Sequence, residues 1–160
     1  MRIKKIDIFW NCIRDFQKAL SIGFNNNYYF YSIFIEKKLV RGFINKLVND
    51  SQLIYIGSTV KTPSERLLKN HKIFQSILKD YGKDYNIYFA FGGFSDTNRI
   101  IDDELIRNIE FMMISHFEPE LNKLDTVEYI IKPIEISSTC EGFELLNFVI
   151  PTKKRTNLVH

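Results

Sequence analysis

Cysteine is scarce in this chain of 160 residues, and the two present, Cys12 and Cys140, stand far apart without paired spacing. That excludes a disulfide framework and a cysteine-built metal site, and points to a reducing compartment. Long apolar runs are lacking too. Lys4, Lys5, Asp7, Arg14 and Asp15 break up the apolar residues of the first twenty positions. No secretory h-region is left, and nowhere does the chain offer the ~20 apolar residues of a membrane-spanning helix. A soluble protein of the cytoplasm, not secreted and with no membrane partner, is expected. Charge of one sign is also modest: 22 Lys and Arg against 19 Asp and Glu leave a net +3. Such a bias permits a nucleic-acid partner without requiring one. There is no internal repeat and no low-complexity linker, and 160 residues with 45% apolar content are enough for one domain over residues 1–160.

What is present is strong local patterning. Ile6, Ile8, Phe9, Cys12, Ile13, Phe16 and Leu20 mostly recur at three- and four-residue steps, which predicts an amphipathic helix over about residues 4–20. Residues 28–35 are aromatic and β-branched almost throughout, a buried strand with Tyr29, Tyr31, Ile33 and Ile35 on one face. A second strand covers 53–57, where alternation puts Leu53, Tyr55 and Gly57 on one side and Ile54 and Ile56 on the other. Thr62-Pro63-Ser64-Glu65 starts a helix, with threonine as N-cap, proline at the first helical position and glutamate completing a capping box; the helix ends at Gly82. A third strand over 85–91 ends at Gly92-Gly93, and a helix over about 96–116 is stopped by Pro119. One or two further strands are expected within 129–136 and 143–150, before the basic tail Lys153-Lys154-Arg155.

One residue breaks the pattern of the long helix. At 100° per residue Glu110 falls among Ile106, Ile114 and Phe117, inside the apolar arc, while Glu104, Arg107 and Asn108 take the polar face. An ionised carboxylate facing the protein is costly unless paired or metal-bound, so Glu110 is a candidate ligand. Tyr31 and Tyr55 on strands, Arg66 and His71 on the next helix, Glu110 on a later one and Asn122 after it form an ordered set. Metal-assisted cleavage of a phosphodiester needs such groups.

In that set the chain resembles the GIY-YIG endonuclease family. Tyr55-Ile56-Gly57 matches the second half of the signature, Arg66 the helical arginine, Glu110 the metal-binding glutamate, and Pro119 with Leu121-Asn122 the closing segment. The resemblance covers residues 28–123 and implies an α/β fold: a small, mostly antiparallel three-stranded sheet flanked by helices. Residues 1–27 would add an N-terminal helical extension and 124–160 a C-terminal strand extension. For the first half of the signature, Tyr31 in Phe30-Tyr31-Ser32-Ile33 is favoured, with Tyr29 as the register alternative. Gly42-Phe43-Ile44 has the usual spacing but places isoleucine where the reactive tyrosine belongs. The choice of Tyr31 makes residues 36–52 an inserted hairpin loop, as in restriction-enzyme members. His71 comes five residues after Arg66, where the family has four, and Asn70 holds the usual offset.

The resemblance implies a metal-dependent DNA endonuclease, with Mg²⁺ or Mn²⁺ held by Glu110 and a tyrosine, Tyr31 or Tyr55, as general base. Arg66 would stabilise charge on the phosphate, and Asn122 would order the loop. No zinc-finger or helix-turn-helix appendage is recognisable, which brings the chain closer to a restriction endonuclease, a possible homodimer on duplex DNA, than to a long-site homing enzyme, with a structure-specific nuclease as the alternative. DNA contacts are expected from Lys37, Lys38 and Arg41 in the insertion and from Lys61, Lys69 and Lys72 near the first core helix. The rival expectation is a GIY-YIG-fold nucleic-acid-binding or interaction module whose catalysis has lapsed.

Overall fold

The computed structural model describes residues 4–13, 28–38, 51–59, 72–96, 101–122, 134–141 and 146–151. It is an α/β structure with strands β1 (Lys4–Ile13), β2 (Tyr28–Lys37) and β3 (Gln52–Ser58), helix α1 (Lys72–Tyr81), strand β4 (Tyr85–Phe94), helix α2 (Asp103–Phe117), and strands β5 (Ile134–Cys140) and β6 (Phe148–Ile150). The strands form one six-stranded sheet in the order β3-β2-β4-β1-β5-β6. It is mixed: β1 runs parallel to β5, and the other pairs are antiparallel. The three-stranded sheet expected from the sequence is therefore too small, although β3, β2 and β4 do lie side by side and antiparallel.

The difference begins at the N-terminus, where residues 4–13 are a strand and not part of a helix. Ile6, Ile8 and Trp10 are buried while Lys5, Asp7 and Asn11 are exposed, a period of two. Cys12 stays on the face of Ile6, Ile8 and Trp10, and the buried Ile13 joins the opposite cluster. The strand prevails because β4 and β5 flank it and satisfy its backbone on both sides. β4 likewise continues through Gly92-Gly93 to Phe94. Gly92 is needed where it stands, since a Cβ there would lie 2.9 Å from Cε3 of Trp10, which crosses over it. The Trp10 indole in turn donates to Ser138 Oγ at 2.8 Å, and Ser138 donates to the Leu146 carbonyl at 2.6 Å.

The helices cover the two faces. Phe74 and Ile77 of α1 pack with Tyr31, Ile33, Ile35, Ile54, Phe89 and Phe91. On the other face Leu105, Ile106, Ile109, Met112 and Met113 of α2 pack with Ile6, Ile8, Trp10, Phe30, Phe34, Ile56 and Ala90. α2 starts at Asp103, later than the expected 96, because Asp102 caps it: the carboxylate accepts the Leu105 N–H at 2.7 Å. The helix closes at Glu118, whose left-handed backbone (φ 47) sends its N–H to the Ile114 carbonyl. Asn108, expected on the polar face, is 4% exposed.

Two bulges overturn simple alternation. In β2 the pairing with β4 slips between Tyr28 and Phe30, and the Tyr29 ring joins Phe94 in the α2-side cluster, centroids 5.3 Å apart, away from Tyr31. In the β2–β3 pairing the slip between Ile33 and Phe34 leaves Ile54 without an opposite residue. Leu53 then packs on the α2 side and Ile54 on the α1 side, the reverse of the faces expected from alternation. Ser32, between these bulges, is fully buried, and its hydroxyl has no hydrogen-bond partner among the described residues. Ser32→Ala is therefore expected to raise stability by about 1 kcal/mol, seen as a higher urea midpoint at unchanged slope. A midpoint that falls by as much would mean that the hydroxyl is bonded.

Candidate active site

β2 and β3 bring the two tyrosines together. Their register sets Tyr31 opposite Gly57 and Ile33 opposite Tyr55, so both phenols lie on the α1 side, ring centroids 5.9 Å apart and tilted by 37°. The Tyr31 ring rests directly on Gly57: a Cβ at that position would lie 2.4 Å from both Cζ and Oη. Glycine is required there by this close approach. Tyr31 is 3% exposed and Tyr55 half-buried.

The next residue of β3 faces the other way. Ser58 pairs with Phe30 on the α2 side, and its hydroxyl donates to Glu110 Oε2 at 2.6 Å. Glu110 is half-buried, as its place in the apolar arc suggests, and the serine hydroxyl holds one of its two oxygens. Tyrosines and glutamate thus belong to opposite faces of the sheet, and what links them is the sequence neighbourhood of Gly57 and Ser58 at the C-terminal end of β3. Among the described residues no three His, Cys, Asp or Glu side chains cluster. One carboxylate fits a hard divalent ion that keeps most of its waters.

Asn122 completes the frame. β3 is an edge strand, and Asn122 pairs with it as a neighbouring strand would: Oδ1 accepts the Ile56 N–H and Nδ2 donates to the Ile56 carbonyl, both at 2.8 Å. The Leu121 N–H donates to the Ile54 carbonyl at 3.0 Å, and the Asn122 N–H closes a turn on the Pro119 carbonyl at 3.0 Å. This clamp ties the end of α2 to the strand that carries Tyr55 and Ser58. Asn122→Ala strips both side-chain bonds from part-buried backbone and should cost about 1–3 kcal/mol in a denaturant titration. An unchanged midpoint would mean that water replaces the amide without loss.

Other candidates fare differently. Arg66, His71, Arg41, Lys61, Lys69 and the Gly42-Phe43-Ile44 segment lie outside the described residues. Lys37 and Lys72 are exposed, but Lys38 donates from Nζ to the carbonyls of Gly82 and Lys83 at 2.8 and 3.0 Å, closing the end of α1. Burial, followed by the charges of Glu120 and Asp80 and by Tyr85, pushes the Tyr81 phenol up, which makes it a poor base. Burial, with Cys12 nearby, pushes the Cys140 thiol up to about 11, so it stays protonated and inert near neutrality. Sequence reasoning missed Ser58, whose partner is fixed by strand register. It also missed a cleft of about 160 Å³ lined by Ser58, Thr59, Asp103, Ile106 and Arg107. The signal for the latter was the i, i+3, i+4 spacing of Asp103, Ile106 and Arg107, with Glu110 at i+7 on the same face.

The fold is α/β, with a tyrosine pair on one face of the β2–β3 pairing and a serine-bonded glutamate on the other. No helix among the described residues is long and apolar enough to cross a membrane. No family model, curated protein or solved structure matches the chain.

Proposed function

We propose that the chain is a metal-dependent DNA endonuclease of the GIY-YIG type, acting on duplex DNA in the manner of a restriction enzyme and as a homodimer. The observation that carries this reading is the packing of Tyr31 over Gly57 beside Tyr55, with the adjoining Ser58 holding Glu110. The antiparallel order β3-β2-β4 supports it as the counterpart of the three-stranded unit that the resemblance implies. A divalent ion, Mg²⁺ or Mn²⁺, would supply charge stabilisation to the leaving 3′ oxygen when bound. Glu110 would hold it, with one of its oxygens bonded by Ser58.

The proton leaves the attacking water through a phenol. A tyrosine ordinarily titrates near ~10, so a cationic field must favour its deprotonated form. Tyr55 is the better exposed of the two, and Tyr31, held flat on Gly57, fixes where Tyr55 can stand. Arg66 remains the proposed phosphate ligand, and Asn122 keeps α2 and β3 aligned.

A second reading is favoured by one specific observation: Tyr31 is 3% exposed and packed with Ile33, Phe89 and Phe91, as a core residue would be. On that reading the chain binds nucleic acid without cutting it. Tyr31→Phe and Tyr55→Phe separate the two on nicked-plasmid yield. If a phenol transfers the proton, at least one variant loses ~10²-fold or more in rate while melting normally. Full rates in both, and in Tyr29→Phe, would remove tyrosine from the chemistry.

A further inference from the structure

A phosphodiester brought to Glu110 meets the α2 side of the sheet, and few phenols stand on that side. Ser58 holds Glu110 there, whereas Tyr31 and Tyr55 pack in the α1-side cluster with Tyr28, Tyr81 and Tyr85. Of the eight tyrosines Tyr129 lies outside the described residues, and the remaining two, Tyr29 and Tyr88, pack on the α2 side. Tyr88 pairs with Phe34 and donates its hydroxyl to Glu36, towards the far end of the sheet. Tyr29 is at the near end. It owes its face to the bulge between Tyr28 and Phe30, which sets Tyr29 and Phe30 on one side of β2. Phe30 is the partner of Ser58, and the Tyr29 carbonyl accepts the Thr59 N–H at 2.7 Å, so Tyr29 adjoins the Ser58–Thr59 step across the strands. Diagonal neighbours on one face of paired strands are ~7–8 Å apart, within reach of an aromatic side chain. The Tyr29 ring is half-buried against Phe94, and among the described residues its hydroxyl makes no hydrogen bond.

We infer that Tyr29 contacts the substrate, its hydroxyl donating a hydrogen bond to a nonbridging oxygen of the phosphodiester that Glu110 serves. The identity of the substrate rests on the nuclease reading; the choice of phenol rests on the sheet, which sets Tyr31 and Tyr55 on the other face. A phenol donates without ionising, and a bond to an anionic oxygen is stronger than one between neutral groups. Tyr29→Phe takes away the donor and keeps the ring that packs on Phe94.

The test pairs that variant with sulfur in the substrate. Single-turnover cleavage in Mg²⁺ is measured on a duplex cut at a mapped position, with oxygen at the scissile phosphate or with sulfur in place of either nonbridging oxygen. Tyr29→Phe is expected to slow the oxygen substrate about 10- to 100-fold, the effect of one hydrogen bond to a charged group, at an unchanged urea midpoint. Sulfur accepts weakly, so on one of the two phosphorothioate isomers the loss should shrink to about threefold or less. Tyr88→Phe should cut all three substrates at the wild-type rate. In EDTA, Tyr29→Phe should weaken binding of the uncut duplex about threefold or more and leave the slope of log affinity against log salt unchanged, since a neutral hydroxyl releases no counterion. A full rate in Tyr29→Phe, an equal loss on all three substrates, or unchanged binding overturns the contact and leaves the nuclease reading standing. A wild-type chain that cuts none of the substrates overturns both.

Discussion

Glu110→Gln is expected to lower the cleavage rate by 10²-fold or more while the fold and DNA binding persist. The substitution keeps side-chain volume, and the amide oxygen can still accept the Ser58 hydroxyl, so the 2.6 Å contact between β3 and α2 has a replacement. What disappears is the negative charge that would hold a divalent ion, and with it several kcal/mol of transition-state stabilisation. Ser58→Ala makes the contrast, because it leaves the carboxylate and removes one hydroxyl bonded to it. Outer partners of a metal ligand are typically worth 10–100-fold, so this variant should fall between wild type and Glu110→Gln. The measurement is single-turnover cleavage over a Mg²⁺ titration. Ser58→Ala should recover at high metal and Glu110→Gln should not. Equal rates for Glu110→Gln and wild type would take Glu110 out of the mechanism.

The second large effect is structural. Gly57→Ala places a methyl 2.4 Å from Cζ and Oη of Tyr31, so the ring must move or the strands must part. Overpacking a core contact of this kind costs about 1–3 kcal/mol. Tyr31→Phe does not relieve it, because Cζ remains. Tyr31→Leu does, and in that background Gly57→Ala should cost at least 1 kcal/mol less, the coupling expected of residues in direct contact. Urea titrations of the two single variants and the double variant give the cycle. Additive costs would mean that Tyr31 does not rest on Gly57.

The placement of several candidate site residues was legible because it depends on local rules. Tyr55, Gly57 and Glu110 stood out as a strand tyrosine, a side-chain-free position and an acid in an apolar arc; β2, β3, β4 and α2 followed from composition and periodicity. The rest depends on contacts distant in sequence. The first strand reads as a helix because Ile6, Phe9, Cys12 and Ile13 recur at three- and four-residue steps, and only the flanking strands β4 and β5 decide for the alternation of Ile6, Ile8, Trp10 and Cys12. The bulges at Tyr29 and Ile54 could not be seen either. Alternation assumes an unbroken ladder, and a single extra residue reverses the faces beyond it. Gly92 looked like a strand stop because the chain does not announce that Trp10 will cross it. Ser58 became part of the site only once register had placed it against α2.

Hydrolysis of DNA at the end of β3 is measured most directly as conversion of supercoiled plasmid by the purified wild-type chain, with the cut ends mapped. Nicked and then linear DNA is expected in Mg²⁺ or Mn²⁺, nothing in EDTA, and termini carrying a free 3′ hydroxyl. Plasmid that stays supercoiled in both metals, while the protein still binds it, would contradict the account and leave the chain a nucleic-acid-binding module.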